Sequence, residues 1–228
     1  MNNPLPGDFI DIHTHGSGLK SGIFAIENLM AHEERKPGDL AGQPCTYGIH
    51  PWHLDRESIN TLISNVQSVS CADNLIAIGE AGFDKLRGAV MDIQSRAFEA
   101  QVTISEETGK PLFIHCVRAW DELLPVHKRI RPKMPWMIHG FRGNTELAAQ
   151  LVSKGMYLSF WFDFVLRPES SKLLKSLPVE RIFLETDGAT VGINTIYDKV
   201  AADLNMEVKD LKSVILGNYY NLFSVNSH

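Results

Sequence analysis

The chain has 228 residues, of which 44% are hydrophobic, and its formal net charge is -5. The length fits one large domain, which we place over residues 1–228, and the composition is that of a globular protein with a substantial core. The acidic balance argues against a protein built around nonspecific attraction to nucleic acid, although a local basic patch or bound metal ions can offset the global sign.

Three widely spaced cysteines, Cys45, Cys71 and Cys116, form no CxxC motif. They suit reduced thiols, so we expect a cytoplasmic protein. Residues 1–8 have neither the basic nor the apolar region of a signal peptide, and no apolar run approaches the ~20 residues of a membrane span. We therefore expect no membrane association, and no feature of the sequence indicates an obligatory protein partner.

Short apolar runs alternate with helical or loop-like segments along the chain. The runs predict eight buried strands over residues 9–12, 23–26, 45–49, 75–78, 112–114, 135–138, 157–160 and 181–184. Helical periodicity predicts helices over residues 57–69, 90–108, 120–128, 145–153, 170–177, 196–204 and 208–222. The alternation predicts an α/β protein, a compact TIM-like (β/α)8 barrel, with abbreviated connections between its first and third strands.

Metal-ligand side chains follow the predicted strands, at the carboxyl ends where such barrels carry their functional residues. They are His13, His15, His50, Glu80, His115, His139 and Asp187. Each alone has a structural explanation, such as a satisfied core histidine or a helix N-cap. Together they would crowd one pocket with unpaired polar groups, which is costly, so we predict a metal site.

The clearest pair is His13 and His15, separated by one residue at the end of the first strand. Alternate residues of a strand point the same way, so both imidazoles are aimed at one point. The full set mixes imidazoles with carboxylates, which suits Zn, Mn, Fe, Co or Ni and suits Mg less well. Even six of these seven candidates exceed one tetrahedral site with an open position, so two ions that share a carboxylate are more economical. Such a pair of ions predicts hydrolysis by a metal-activated water.

The motifs around these residues resemble those of the TatD-like metal-dependent hydrolases of the amidohydrolase superfamily. The resemblance spans almost the whole chain in the order of the family. The matching segments are IDIHTH (10–15), GIHPW (48–52), IGEAGFD (78–84), PLFIHC (111–116), IHGFRGN (138–144), ETDGA (185–189) and NYYNLF (218–223). The resemblance implies a divalent-metal-dependent nuclease or phosphodiesterase that acts on DNA or on a small phosphoester.

The resemblance also implies a ligand set for two divalent ions, Mg, Mn or Zn. His13, His15 and Asp187 would hold one ion together with Glu80, and Glu80 would bridge to a second ion on the remaining histidines. Those histidines are His115 and His139. Asp187 would also orient or deprotonate the attacking water. With the bridging Glu80, it is a candidate catalytic residue.

Three further residues are candidates for substrate binding. His50 either contacts a phosphate or packs in its loop. Arg118 and Arg142 each follow a strand-end histidine by three residues, and each either pairs with a phosphate oxygen or is a solvated surface residue. Trp52, Trp120 and Trp161 either stack on a base or pack at the rim.

The chain departs from the resemblance in the loop after Asp187. This loop reads Gly188-Ala189-Thr190-Val191-Gly192-Ile193, where the family usually has a small residue and a proline. In the family this loop shapes the substrate entrance, so the sequence leaves the identity of the substrate open. The alternative function is hydrolysis of a small amide, lactone or phosphoester on the same scaffold. A binding module that keeps its metals for structure is a third interpretation.

Overall fold

The computed structural model describes residues 3–16, 18 and 20–224 of the chain. These residues divide into two compact units. The central unit comprises residues 28–136, and the terminal unit comprises residues up to 27 together with residues 137–224. The single domain over 1–228 stays a prediction.

The described residues contain eight strands and eight α-helices. The strands are β1 (Phe9–Thr14), β2 (Ile23–Met30), β3 (Cys45–Gly48), β4 (Leu75–Asp84), β5 (Leu112–Val117), β6 (Trp136–Ile138), β7 (Tyr157–Trp161) and β8 (Ile182–Glu185). The helices are α1 (Ile59–Val69), α2 (Met91–Thr108), α3 (Trp120–Ile130), α4 (Thr145–Ser153), α5 (Phe162–Val165), α6 (Pro168–Lys175), α7 (Ile193–Leu204) and α8 (Val208–Phe223).

The strands follow chain order, β1 to β8, in one eight-stranded sheet. The described pairings of β1 with β2, β3 with β4, β4 with β5, β6 with β7 and β7 with β8 are all parallel. Sequential parallel strands alternating with helices are the topology of a (β/α)8 barrel, which confirms the predicted fold class. The early connections are short as predicted: among the described residues between β1 and β3, the only helical segment is a 3-10 turn at Pro37–Leu40.

Two elements differ from the sequence prediction in an informative way. β4 continues through Asp84 and is buried along its whole length, whereas its apolar run stops at Ile78. The polar and glycine residues after Ile78 look like a loop in sequence, but they stay in the sheet because β5 pairs with β4 as far as Asp84. The prediction also lacks α5, whose sequence FDFV continues the apolar run of β7.

The core of the central unit lies between the β3–β5 strands and helix α2. Phe98 of α2 packs against Phe83 of β4, with ring centroids 4.7 Å apart, and against Trp136 at 5.4 Å. The side chain of Gln101, also on α2, hydrogen-bonds the backbone of Ile49, accepting from its nitrogen at 2.7 Å and donating to its oxygen at 3.2 Å. Helix α2 therefore fixes the segment that carries His50.

The core of the terminal unit is built from β1, β7 and β8 with α7 and α8. The buried hydroxyl of Tyr197 on α7 donates to the carbonyl of Ile10 at 3.1 Å and accepts from its nitrogen at 3.2 Å. The ring of Tyr197 meets Phe9 edge to face at 5.2 Å. These contacts hold α7 against β1, the strand that presents His13. Within the described residues, no helix has the length and apolar character needed to cross a membrane.

Candidate functional site

The central unit gathers His50, Glu80 and His115 into a buried cluster, here called the central group. His50 follows β3, whereas Glu80 and His115 lie within β4 and β5. Oε1 of Glu80 lies 3.3 Å from Nε2 of His50 and 2.9 Å from Nδ1 of His115. One carboxylate oxygen thus meets two imidazoles at the carboxyl ends of neighbouring strands.

Two residues support the carboxylate and imidazole of the central group. Asn28 donates to Oε2 of Glu80 at 3.3 Å and accepts from the hydroxyl of Thr46 at 2.7 Å. Oδ2 of Asp84 lies 3.2 Å from Nε2 of His115. Both partners restrict the orientation of the side chains that they contact.

Asp84 is a buried carboxylate with several hydrogen-bond donors around it. The indole Nε1 of Trp52 donates to Oδ2 at 2.6 Å, and the backbone nitrogens of Leu86 and Arg87 donate to Oδ1 at 2.7 and 3.1 Å. Burial by itself opposes ionisation of Asp84, but these donors and His115 outweigh it, so the pKa of the carboxyl is lowered. Asp84 is therefore held as a charged acceptor beside His115.

The terminal unit gathers His13, His15 and Asp187 into a second cluster, the terminal group. Oδ1 of Asp187 lies 3.7 Å from Nε2 of His13 and 3.6 Å from Nε2 of His15. The two imidazoles stand edge to face with centroids 5.2 Å apart. The convergence predicted from their spacing is present, although β1 ends at Thr14 and His15 lies just beyond it.

His139 lies beside this group, with its ring centroid 4.3 Å from that of His13. Its Nδ1 is 3.2 Å from Oε1 of Glu185, the last residue of β8, and Oε2 of Glu185 accepts a hydrogen bond from Ser159 at 2.5 Å. Burial raises the pKa of the Glu185 carboxyl, while His139 and Ser159 act in the opposite direction. Glu185 thereby fixes the orientation of the His139 ring.

The ends of β1 and β8 are joined next to Asp187. The backbone nitrogen of Asp187 donates to the carbonyl of His13 at 3.1 Å. The carboxylate of Asp11 accepts from the nitrogen of Thr186 at 2.9 Å and from its hydroxyl at 2.7 Å. Burial of Asp11 raises its pKa to about 7, against the lowering effect of these hydrogen bonds.

The backbone turns sharply after β8. Asp187 has a φ of 51°, an uncommon left-handed conformation that aspartate tolerates better than most residues. Gly188 continues with a φ of 71°, and a Cβ placed there would lie 3.1 Å from Cβ of His15. The turn aims Asp187 at the histidines and lets His15 lie against the loop.

The donor sets of both groups fit a divalent metal. In each group three ligand atoms lie within 4.8 Å of one another, and all are imidazole nitrogens or carboxylate oxygens. Two ligands about 2.1 Å from an ion in tetrahedral geometry are separated by about 3.4 Å. The distances of 3.3 Å from His50 to Glu80 and of 3.6 and 3.7 Å from the histidines to Asp187 match this separation. The 2.9 Å between His115 and Glu80 is shorter and is a hydrogen-bond distance.

The structure distributes the predicted site residues as follows. Six of them, together with His50, lie in or beside the two groups: His13, His15, His139 and Asp187 in the terminal unit, and His50, Glu80 and His115 in the central unit. Arg118 is exposed, with a φ of 51° directly after β5. Arg142 is exposed, with its guanidinium 4.2 Å from the ring centroid of Trp161. The roles of the two arginines stay predictions.

Sequence analysis missed three residues that contact the proposed ligands. Asp84 and Glu185 belong to the motifs IGEAGFD and ETDGA, yet they received no role. Asp84 was within reach of sequence reasoning, since residues 80 and 84 share one face of a strand once β4 is extended. Asn28 gave no such signal, because it lies in a weak strand and has no metal-ligand chemistry.

Comparisons with known proteins identify a family for this chain. A family model for TatD-related DNases matches residues 39–224. A protein named 3'-5' ssDNA/RNA exonuclease TatD from Pantoea sp. (strain At-9b) is 31% identical over 176 residues, which are 74% of this chain and 66% of that protein. The protein of the same name from Erwinia billingiae (strain Eb661) is 30% identical over 176 residues, with the same coverage of 74% and 66%.

The chain thus spans about two thirds of the length of these relatives. Among solved structures, that of YjjV, a TatD homolog from Escherichia coli K12, has a TM-score of 0.82 at 20% identity and covers 96% of this chain and 99% of that one. At this identity the likeness concerns the fold, and it agrees with the (β/α)8 topology. The match of the family model over most of the chain confirms the resemblance read from the motifs. This chain belongs to the family of TatD-related DNases.

Proposed function

We propose that this protein is a divalent-metal-dependent hydrolase that cleaves the phosphodiester bonds of DNA. The observation that carries the proposal is the pair of imidazole–carboxylate groups at the carboxyl ends of the strands in a chain of this family. The names of the relatives support nucleic acid as the substrate.

We propose two ions, with Mg, Mn or Zn as candidates. His13, His15 and Asp187 offer ligand atoms for one ion, and Glu80 and His115 offer them for the other, with His50 contributing a third donor. The bridging role of Glu80 and the assignment of His139 to the second ion stay predictions from the family motifs. Divalent ions at such sites supply Lewis acidity and lower the pKa of water.

The residues of the chain supply the remaining chemistry. Asp187 has a half-buried carboxylate directed at two imidazoles, and it would orient the attacking water and accept its proton. One carboxylate oxygen of Glu80 contacts two histidines, and the other accepts a hydrogen bond from Asn28. We assign it to holding the site together during catalysis.

The alternative is hydrolysis of a small amide, lactone or phosphoester on the same scaffold. The net charge of -5 supports it, because it does not favour a long basic surface for nucleic acid. The contact of Arg142 with Trp161 also supports it, because the guanidinium packs against a neighbouring ring. A cytoplasmic location is also a proposal, and it draws on the absence of disulfides at Cys45, Cys71 and Cys116 in the described residues.

The test begins with metal analysis of the purified protein, followed by removal of metal with a chelator and reloading with Mg, Mn or Zn. Each form is then assayed on single-stranded DNA, double-stranded DNA and a panel of small esters and amides. We expect cleavage of DNA that requires metal and that is lost in His15→Ala and Asp187→Asn. Absence of DNA cleavage by the metal-loaded protein contradicts the nuclease proposal, and turnover of a small ester or amide in its place supports the alternative.

A further inference from the structure

A cavity of about 380 Å³ adjoins the central group. It is lined by residues 84–91 and by Glu122, so Asp84 belongs both to the wall of the cavity and to the surroundings of His115. A molecule in the cavity would therefore share a neighbour, Asp84, with His115, one of the proposed metal ligands. The volume is in the range of small-ligand pockets.

The loop that lines this cavity is held in a fixed position. Its beginning is bonded to Asp84 through the backbone nitrogens of Leu86 and Arg87. Farther along, the carbonyl of Ala89 accepts from the Gln94 side chain at 2.7 Å. A loop fixed on both sides gives a binding surface that does not need to be ordered when a ligand arrives.

Arg87 brings a positive charge to the cavity, and its guanidinium packs on the ring of Trp52. The guanidinium carbon of Arg87 lies 4.1 Å from the centroid of the Trp52 ring, a cation–π contact. The indole nitrogen of Trp52 donates to Asp84, the carboxylate that also contacts His115. A guanidinium carries five N–H donors in its plane, which match the oxygens of a phosphate.

The carboxylate of Asp84, which also lines the cavity, accepts hydrogen bonds from the Trp52 indole and from the backbone nitrogens of Leu86 and Arg87, and these donors offset its charge. Nζ of Lys85 lies 2.6 Å from Asp121 and 2.8 Å from Glu122, which offset its charge. The cation suited to an anion is then Arg87. Among the described residues, Arg87 forms no ion pair with a carboxylate. Two apolar side chains also line the cavity, Leu86 and Val90, which are 64% and 61% exposed, and they suit the sugar and base that flank a phosphate.

We propose that this cavity binds a second phosphate group of the substrate, held by Arg87, next to the phosphodiester that is hydrolysed. The inference rests on the proposed phosphodiesterase function and adds a substrate requirement to it. A substrate with neighbouring phosphates, such as an oligonucleotide, engages Arg87. A diester with a single phosphate, such as bis(p-nitrophenyl) phosphate, does not.

The experiment compares kcat/KM for a short single-stranded oligodeoxynucleotide with kcat/KM for bis(p-nitrophenyl) phosphate in the metal-loaded protein. In Arg87→Ala we expect the ratio of the two values to fall by about tenfold or more, mainly through a higher KM for the oligonucleotide, because a charge-assisted hydrogen bond to an anion is lost. Arg87→Lys keeps the charge without the planar fork and is expected to recover part of the ratio.

The matched control is Arg129→Ala. Arg129 is an exposed arginine of α3, paired with Glu99 of α2 at 2.6 Å, and its loss should leave the ratio unchanged. An unchanged ratio in Arg87→Ala, or an equal fall in the ratio in Arg129→Ala, overturns the inference. If the wild-type protein hydrolyses neither substrate with any metal, the proposed function itself fails, so the two failures are distinguishable.

A second measurement uses inhibition of the same reaction by added nucleotides that carry one or two phosphates. We expect deoxyadenosine 3',5'-bisphosphate to inhibit the wild-type protein more strongly than deoxyadenosine 5'-monophosphate, and Arg87→Ala to lose this difference. Equal inhibition of the wild-type protein by the two compounds, or a difference that persists in Arg87→Ala, contradicts the second phosphate site.

Discussion

The carboxylate of Glu185 contacts Nδ1 of His139, one of the two nitrogens of the imidazole ring. The distance from Oε1 to Nδ1 is 3.2 Å, and the buried Ser159 hydroxyl holds the second carboxylate oxygen. A carboxylate that accepts from one nitrogen of a histidine sets the tautomer and makes the other nitrogen a better metal ligand. Glu185 therefore acts on the proposed site through His139.

Replacing Glu185 with glutamine should weaken metal binding. The amide keeps the size of the side chain but removes its charge, and loss of such a supporting carboxylate lowers metal affinity by about 10–100-fold. Titration of the metal-free protein with Mn or Zn by calorimetry measures the effect. The control is Glu146→Gln, an exposed position on α4, and equal affinities of the two variants would contradict the role of Glu185.

Replacing Asp187 with asparagine should lower kcat while the fold is retained. The variant keeps the shape but loses the proton acceptor, and general base catalysis contributes about 10²–10⁴-fold. Steady-state kinetics on the substrate found in the metal screen measures the change. Asp198→Asn, at an exposed position of α7, is the matched control. A kcat within a factor of about two of the wild-type value would show that Asp187 is not the base.

Metal should stabilise the folded protein measurably. A ligand that binds only the folded state at about 100 times its Kd adds about 2.7 kcal/mol to the free energy of unfolding. We expect the Tm from differential scanning fluorimetry to rise when metal replaces chelator. The rise should be smaller in His15→Ala, whose side chain is 36% exposed and can be truncated without opening the core. An identical rise in both proteins would place the stabilising ion elsewhere.

Replacing Gly82 with alanine should destabilise the protein strongly. Gly82 has a φ of 150°, and a Cβ there would lie 1.9 Å from the carbonyl oxygen of His115. The backbone of β5 would have to move, so we expect a loss of about 3 kcal/mol or more in the free energy of unfolding.

The control for this substitution lies in the same chain. Gly217 is inside α8, and a Cβ there would meet no atom within 4 Å. Gly217→Ala should stabilise the protein by about 0.5–1 kcal/mol, because alanine loses less entropy in a helix. Urea denaturation of both variants measures the two changes, and a mild effect at Gly82 would mean that β4 and β5 can separate there.

The sequence was most informative where a strand ends in a histidine. His13, His115 and His139 are visible as polar residues closing apolar runs, and the spacing of His13 and His15 gives a direction as well as a position. Glu80 and Asp187 follow predicted strands in the same way, and the family motifs assign them to the two ions. The sequence could not show which of these side chains meet, because their contacts depend on strand register and on the turn after β8.

The supporting residues are harder to find because their signals conflict with local pattern. Asp84 stands in a glycine-containing polar segment that predicts a loop, and only pairing with β5 keeps it in a strand. Asn28 interrupts the apolar run of β2, where an amide reads as a strand end. The sequence predicts that Trp52 either stacks on a base or packs at the rim. Its hydrogen bond to Asp84 and its contact with Arg87 depend on a loop conformation that composition does not encode.

The close approach of Gly188 to His15 restricts which residues of the loop after β8 can be substituted. A Cβ at residue 188 would lie only 3.1 Å from Cβ of His15, and the φ of 71° there also disfavours a side chain, so this position and His15 have to be treated as one unit. Libraries aimed at a new substrate can therefore begin at residue 189 and leave the turn after β8 unchanged.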